Sequence, residues 1–240
     1  MNKSTLIRYK NEFFDTILRI GVKINLPFSF LSILINQQPR HLYSWVSLDS
    51  IKDFVPNIVL EDLFSPLEVR KPNVKDFIWC GDWDVQTKSI QKFYSDYSIA
   101  YRSILQIFDE GIDYKSSDEY KKLLNEIEKD GSSVRAKSRK ELDEYFENLL
   151  ILKKDLEKNG YKTKEDLKGK KSDEIGVFVG RDGSIIKAED NFSGTHRFAI
   201  AKVLGISKVF VKIIAVHEIW AQKNLRVLVR SLSTQEIQSR

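Results

Sequence analysis

The spacing of apolar positions changes along this chain, and each change predicts a change of element. Leu6, Phe13, Phe14, Ile17 and Leu18 recur near helical spacing, so residues 1–35 read as mostly helical, with Gly21 as a stop. Residues 36–90 show no clear period. They carry Pro39, Pro56, Pro66 and Pro72 and three of the four tryptophans, and Val46-Ser47-Leu48-Asp49-Ser50-Ile51 reads as a short strand running into a turn. From Lys92 the spacing becomes helical, with Phe93, Tyr97, Tyr101, Ile104 and Phe108 on one face until Gly111. Ser116 with Glu119 has capping-box spacing before Tyr120, Leu123, Leu124 and Ile127. Ser138 with Glu141 repeats it before Leu142, Tyr145, Phe146, Leu149, Leu152 and Leu156, and Gly160 closes that helix. These aromatic stripes are core-facing surfaces. Residues 153–174 are a mixed-charge run that reads as a solvated connector.

The period then becomes two. Ile175, Val177 and Val179 alternate with Gly176, Phe178 and Gly180, a strand signal. Arg181-Asp182-Gly183 supplies a hairpin turn, because Asp-Gly tolerates the positive φ of a tight turn, and residues 184–188 return as a second strand. Residues 195–204 form a short helix closed by Gly205, and residues 209–216 are a further strand. The fold class expected is therefore α+β: a small mixed sheet built around a hairpin-helix-strand unit, with a helical insert. Three segments follow: 1–90, mixed and able to contribute a strand; 91–172, the helical insert; and 173–240, the core unit.

Composition narrows the chemistry. At 240 residues and 42% hydrophobic content the chain can build a sizeable core. A single cysteine, Cys80, excludes an internal disulfide and a cysteine metal cage. The apolar stretch 24–35 is broken by Pro27 and falls short of the roughly 20 residues of a membrane span, and the first residues lack a signal-peptide pattern. No membrane partner and a cytoplasmic location are expected. A net charge of +5 and a pI near 9.0 suit anionic ligands, nucleotides or nucleic acid. No Walker-type loop, dinucleotide fingerprint, zinc-protease helix or nucleophile elbow occurs.

The most chemically pointed stretch is Gly194-Thr195-His196-Arg197, which opens the predicted helix. A glycine lets a ligand oxygen approach the backbone, and Thr195 can cap the helix or donate to a phosphate. The unpaired N–H groups of a first helical turn attract anions. Arg197 offers a planar fork matched to phosphate oxygens, and His196 can donate or act as acid–base. A plain N-cap with Arg197 paired to a carboxylate such as Asp190 is the bland alternative.

The ordered pattern of Asp182-Gly183, Gly194-Thr195-His196-Arg197, Ala199, Ala201-Lys202, Leu204-Gly205 and Val211 resembles the ParB/sulfiredoxin-like superfamily over residues 175–216. The resemblance implies that the loop and helix start, including Ser193, bind nucleotide phosphates. Members include sulfiredoxins, free-serine kinases and partition proteins that clamp DNA with CTP. Thr195 stands where sulfiredoxins carry their nucleophilic cysteine, which argues against sulfinic-acid repair. The partition proteins usually have an Arg-Arg pair and continue into a helix-turn-helix domain, for which the residues after Trp220 are too few. His196 leans toward the kinase-like branch. Ser193, however, replaces the acid those kinases place before the glycine, and Glu189 and Asp190 lie close enough in sequence to substitute for it.

Gly81-Asp82-Trp83-Asp84 is a second constellation, since two carboxylates flanking a tryptophan could hold Mg²⁺ and supply a general base; a turn packed over Trp83 is the alternative. His217-Glu218 could neighbour the site, and His41 is a weaker candidate. The expectation is a phosphotransferase moving a phosphoryl group from ATP or another nucleotide, with Mg²⁺, to a small hydroxylated acceptor. Asp82, Asp84, Glu189, Asp190 and His196 are the catalytic candidates, and no metal ligand set is assigned. The rival is a non-catalytic or DNA-associated ParB-like module.

Overall fold

The computed structural model describes residues 16–23, 26–36, 42–56, 76–170, 173–188 and 194–234. Among these, seven strands form one mixed sheet: β1 (Leu42–Ser47), β2 (Asp53–Val55), β3 (Ile78–Trp79), β4 (Lys88–Ser89), β5 (Ile175–Val179), β6 (Ile185–Ala188) and β7 (Lys208–His217). Their order is β1-β7-β5-β6-β2-β4, with β3 also paired to β7. The helices are α1 (Phe28–Asn36), α2 (Ile99–Phe108), α3 (Asp118–Asp130), α4 (Arg139–Asn159), α5 (Thr195–Val203), α6 (Glu218–Lys223) and α7 (Leu225–Thr234), and residues 16–23 are helical too. The α+β class is as the sequence predicts. No helix among the described residues is long and apolar enough to cross a membrane.

The hairpin-helix-strand unit sits at the sheet's centre. β5 and β6 pair antiparallel around a turn in which Gly183 takes φ 91°, and α5 then carries the chain back so that β7 lies parallel to β5. The first segment contributes β1, antiparallel to β7, and β2, parallel to β6. Ile175, Val177 and Val179 face the main core beneath the helices, while Phe178 packs with Trp79 and Trp83 on the other face. β7 does not keep its alternation. A bulge opposite Val177 and Phe178 shifts the register, so Val209, Val211 and Ile213 face the helices, then Ile214 and Ala215 face away, and Val216 returns.

Several expected element boundaries move for reasons found in tertiary neighbours. The first helix continues through Gly21 to residue 23, and Gly21 lets the Leu31 and Leu26 side chains pack close, a Cβ there lying 2.7 Å from Leu31 Cδ2. Leu6, Phe13 and Phe14 lie outside the described residues. The expected short strand begins at Leu42 and ends at Ser47, before a tight turn over Leu48–Ser50. The helical run from Lys92 is split: Phe93–Tyr97 widens into a π turn, Ser98 is extended, and its hydroxyl accepts from Tyr101 N–H to start α2. Ser138 caps α4 as expected, accepting from Glu141 N–H at 3.2 Å. The box at Ser116 and Glu119 does not form. Ser117 is the N-cap, and the N–H groups of Asp118 and Glu119 donate instead to Gln106 and Ser103 on α2. That leaves the Glu119 carboxylate free to turn inward.

Candidate functional site

α5 begins where Gly194 crosses the first residue of β5. Its φ is 82°, and a Cβ would lie 2.5 Å from Ile175 Cα, so only glycine fits. The reason is backbone packing, not the ligand approach that the sequence suggests. The first helical bond runs from Phe198 N–H to Gly194 O, and no described residue accepts from the N–H groups of Thr195, His196 or Arg197. The Thr195 hydroxyl, with the residue only 5% exposed, also has no partner. These four donors at one helix start thus have no acceptor among the described residues.

His196 is buried and held at both nitrogens. Nε2 lies 2.7 Å from Glu119 Oε2 and Nδ1 lies 3.3 Å from the Tyr145 hydroxyl. Burial pushes the Tyr145 phenol upward, so it keeps its proton and donates to Nδ1. The imidazole proton then sits on Nε2 and is donated to Glu119.

Arg197 has turned inward. Nη1 donates to Glu174 Oε2 at 2.8 Å, Nη2 donates to Lys162 O, and the guanidinium lies 4.6 Å from the centre of the Tyr161 ring. Both partners are buried, the Glu174 side chain completely. Burial pushes Glu174 up, and the Lys164 N–H, Arg197 and the Tyr161 hydroxyl pull it back. The expected phosphate fork is thus committed to an internal carboxylate, and that carboxylate is Glu174; Asp190, the partner considered from sequence, lies outside the described residues.

A cleft of about 730 Å³ opens over this helix start. Gly194, Thr195, His196 and Arg197 form one wall; Glu119, Lys122 and Glu126 of α3 and Tyr145, Leu149 and Leu152 of α4 form another; Arg135, Lys164 and Asp173 are among the other lining residues. That volume is within the range of small-ligand and cofactor sites. The helical insert therefore supplies half of the site.

Asp82 and Asp84 are elsewhere. The Arg181 backbone N–H donates to Asp84 at 2.7 Å, and its guanidinium donates to Asp84, to Asp82 and to Gly81 O. Arg181 lies two residues past the end of β5 opposite to the one beneath Gly194, so the full strand, about 13 Å, separates the two. These aspartates lock the 81–84 turn onto the hairpin and do not serve the helix start. His217 belongs to the same lock. Its Nδ1 accepts from Ile219 N–H at 3.0 Å, so Nε2 carries the proton and donates to Gly81 O at 2.8 Å. Glu218 is exposed in the first turn of α6. Ser193, Glu189, Asp190 and His41 lie outside the described residues.

Sequence reasoning missed Glu119, Tyr145, Arg135, Lys164 and Glu174. Glu119 and Tyr145 carry signals of other roles, a cap and an apolar stripe, while the other three sit in polar connectors whose path only the fold decides. No family model matches the chain, and no curated protein or solved structure matches it.

Proposed function

We propose that the chain binds the phosphate of a nucleotide-sized ligand at the start of α5 and transfers a phosphoryl group to a small hydroxylated acceptor. The observation that carries the binding half is the buried, unpartnered Thr195 hydroxyl beside three first-turn N–H groups without an acceptor among the described residues, on residues that line the cleft. A buried donor without a partner costs about 1–3 kcal/mol, and an anion at this position removes that cost. The hairpin-helix-strand order and its Gly-x-His-Arg start support a ParB/sulfiredoxin-like affiliation of the kinase-like kind.

His196 is the acid–base group of this reading. As the acceptor oxygen bonds to phosphorus and the bond to the leaving nucleoside diphosphate breaks, the acceptor proton passes to the Tyr145 hydroxyl while the Tyr145 proton passes to Nδ1, with Glu119 stabilising the imidazolium through Nε2. No group of three His, Cys, Asp or Glu side chains able to hold a metal occurs among the described residues. Magnesium usually binds through one or two carboxylates together with substrate phosphates, and Glu119, Glu126 and Asp173 are the carboxylates that line the cleft. Here it would neutralise phosphate charge.

Thr195→Val tests the binding half, because it keeps the shape and deletes the hydroxyl. Calorimetric titration of ATP and ADP, with and without Mg²⁺, should show wild-type binding and a loss of roughly tenfold in the variant. The unliganded variant should melt at or above the wild-type temperature, since an unsatisfied buried group has been removed. Equal affinity in the two proteins, or no nucleotide binding at all, would sink the assignment.

A further inference from the structure

The cleft carries a second feature, independent of the helix start. Arg135 and Lys164 approach it from two sides. The Arg135 guanidinium lies 5.7 Å from the ring centre of Tyr145, whose hydroxyl touches His196. Lys164 is tied to the other side, its backbone N–H donating to Glu174, the carboxylate that holds Arg197. Both side chains line the cleft, and neither is in an ion pair among the described residues. Of the other cations of the lining, Lys122 has Glu126 at 4.0 Å and Arg197 is paired with Glu174. Lys164 is half-buried, and burial together with the nearby Arg197 charge pushes its ammonium down, with Asp173 and Glu174 only partly opposing. A cation held at such cost gains when an anion arrives beside it.

We propose that Arg135 and Lys164 form a second anion subsite, so that the cleft selects a ligand carrying two linked phosphates over one carrying a single phosphate. This rests on the phosphate-binding reading of the α5 start, which would take the first phosphate through Thr195 and the free N–H groups. Arg135 can grip oxygens of the second with its fork, and Lys164 acts as a point charge. Glu126 and Asp173, which also line the cleft, disfavour a longer unneutralised anion. The helical insert is then the part of the protein that reads ligand length.

The test uses the whole chain and two simple probes, orthophosphate and pyrophosphate, titrated into wild type, Thr195→Val, Arg135→Gln and Lys164→Met. Wild type should bind pyrophosphate at least roughly tenfold more tightly than orthophosphate. Arg135→Gln and Lys164→Met should each remove most of that difference and leave orthophosphate affinity unchanged, whereas Thr195→Val should weaken both probes. Repeating the series with ADP distinguishes a nucleoside-borne diphosphate from a free one, and the same variant pattern is required in either case. Both altered side chains lie at the cleft surface, so melting temperatures near wild type verify the fold. Orthophosphate binding without a pyrophosphate preference overturns this inference alone, as does a preference that survives both variants. Failure of wild type to bind either probe overturns the helix-start reading as well.

Discussion

Burial divides the residues that open α5 into two kinds. Thr195 is buried with an unmet donor, and its energetics improve when something binds. Arg197 is buried with its charge met by Glu174 and both terminal nitrogens donating to the chain's own acceptors, Nε alone lacking a partner. Removing one partner of a buried pair strands the other. Arg197→Ala should therefore lower stability by about 3–5 kcal/mol, read as a drop in the denaturation midpoint. Arg197→Lys should recover only part of it, since an ammonium does not reproduce the two-pronged contact to Glu174 and Lys162 O. A variant that melts like wild type would show that Glu174 finds another partner. This differs from what the tetrapeptide suggests, where Arg197 is the phosphate clamp. The role passes to Thr195 and the backbone because the cationic fork is already filled from inside.

At the scale of elements, the 81–84 turn and the β5–β6 hairpin are held together by the Asp84 and Asp82 carboxylates and the Arg181 guanidinium. Burial alone would push Asp84 up, but its hydrogen bonds from the Arg181 side chain and backbone, with the Arg181 charge, carry it below the ordinary aspartate value. The folded value is thus depressed relative to the unfolded one. The stabilisation is complete above the unfolded value, about pH 4, and is lost as pH falls through the folded value. Denaturant titrations between about pH 5 and about pH 2 should show stability falling more steeply in wild type than in Asp84→Asn. Parallel acid limbs would remove Asp84 from the lock. The neighbouring aromatic cluster of Trp79, Trp83 and Phe178 covers the second face of the sheet, which explains why β5 is buried throughout although its sequence alternates.

Across the whole molecule, one core cluster joins all three segments. It includes Leu18, Phe54 and Ile78 from the first, Tyr101, Phe146 and Leu156 from the helical insert, and Val177, Phe198 and Val211 from the core unit. The α3–α4 region is accordingly both a wall of the cleft and part of the same packed interior. Thermal unfolding followed by near- and far-ultraviolet circular dichroism should show one coincident transition. A separate early loss of helix signal would make the insert an independent unit and weaken its role in the cleft. Ligand binding on this architecture should raise that single transition, because occupation ties α5 to α3 and α4.

What the sequence determined by itself is local in physical origin. The hairpin at Asp182-Gly183 follows from the positive φ that glycine tolerates, the stop at Gly160 from the same property, and the cap at Ser138 from a hydroxyl within reach of the third residue beyond it. The start of α5 at Thr195 belongs with them, since its donors are a property of any helix beginning. Tertiary structure decided which donors stay unmatched, because matching depends on neighbours far along the chain. Glu119 leaves its expected cap since Ser103 and Gln106 of α2 take over the capping, and so it reaches His196. Glu174 captures Arg197 because the connector folds under α5, and Asp82 and Asp84 leave the site because the length of β5 intervenes. The β7 bulge likewise reverses its faces midway, a shift of one residue that no alternation in the sequence records. Periodicity reports the mean field of a core; a site is made of particular pairs, and those form only once the chain has closed on itself.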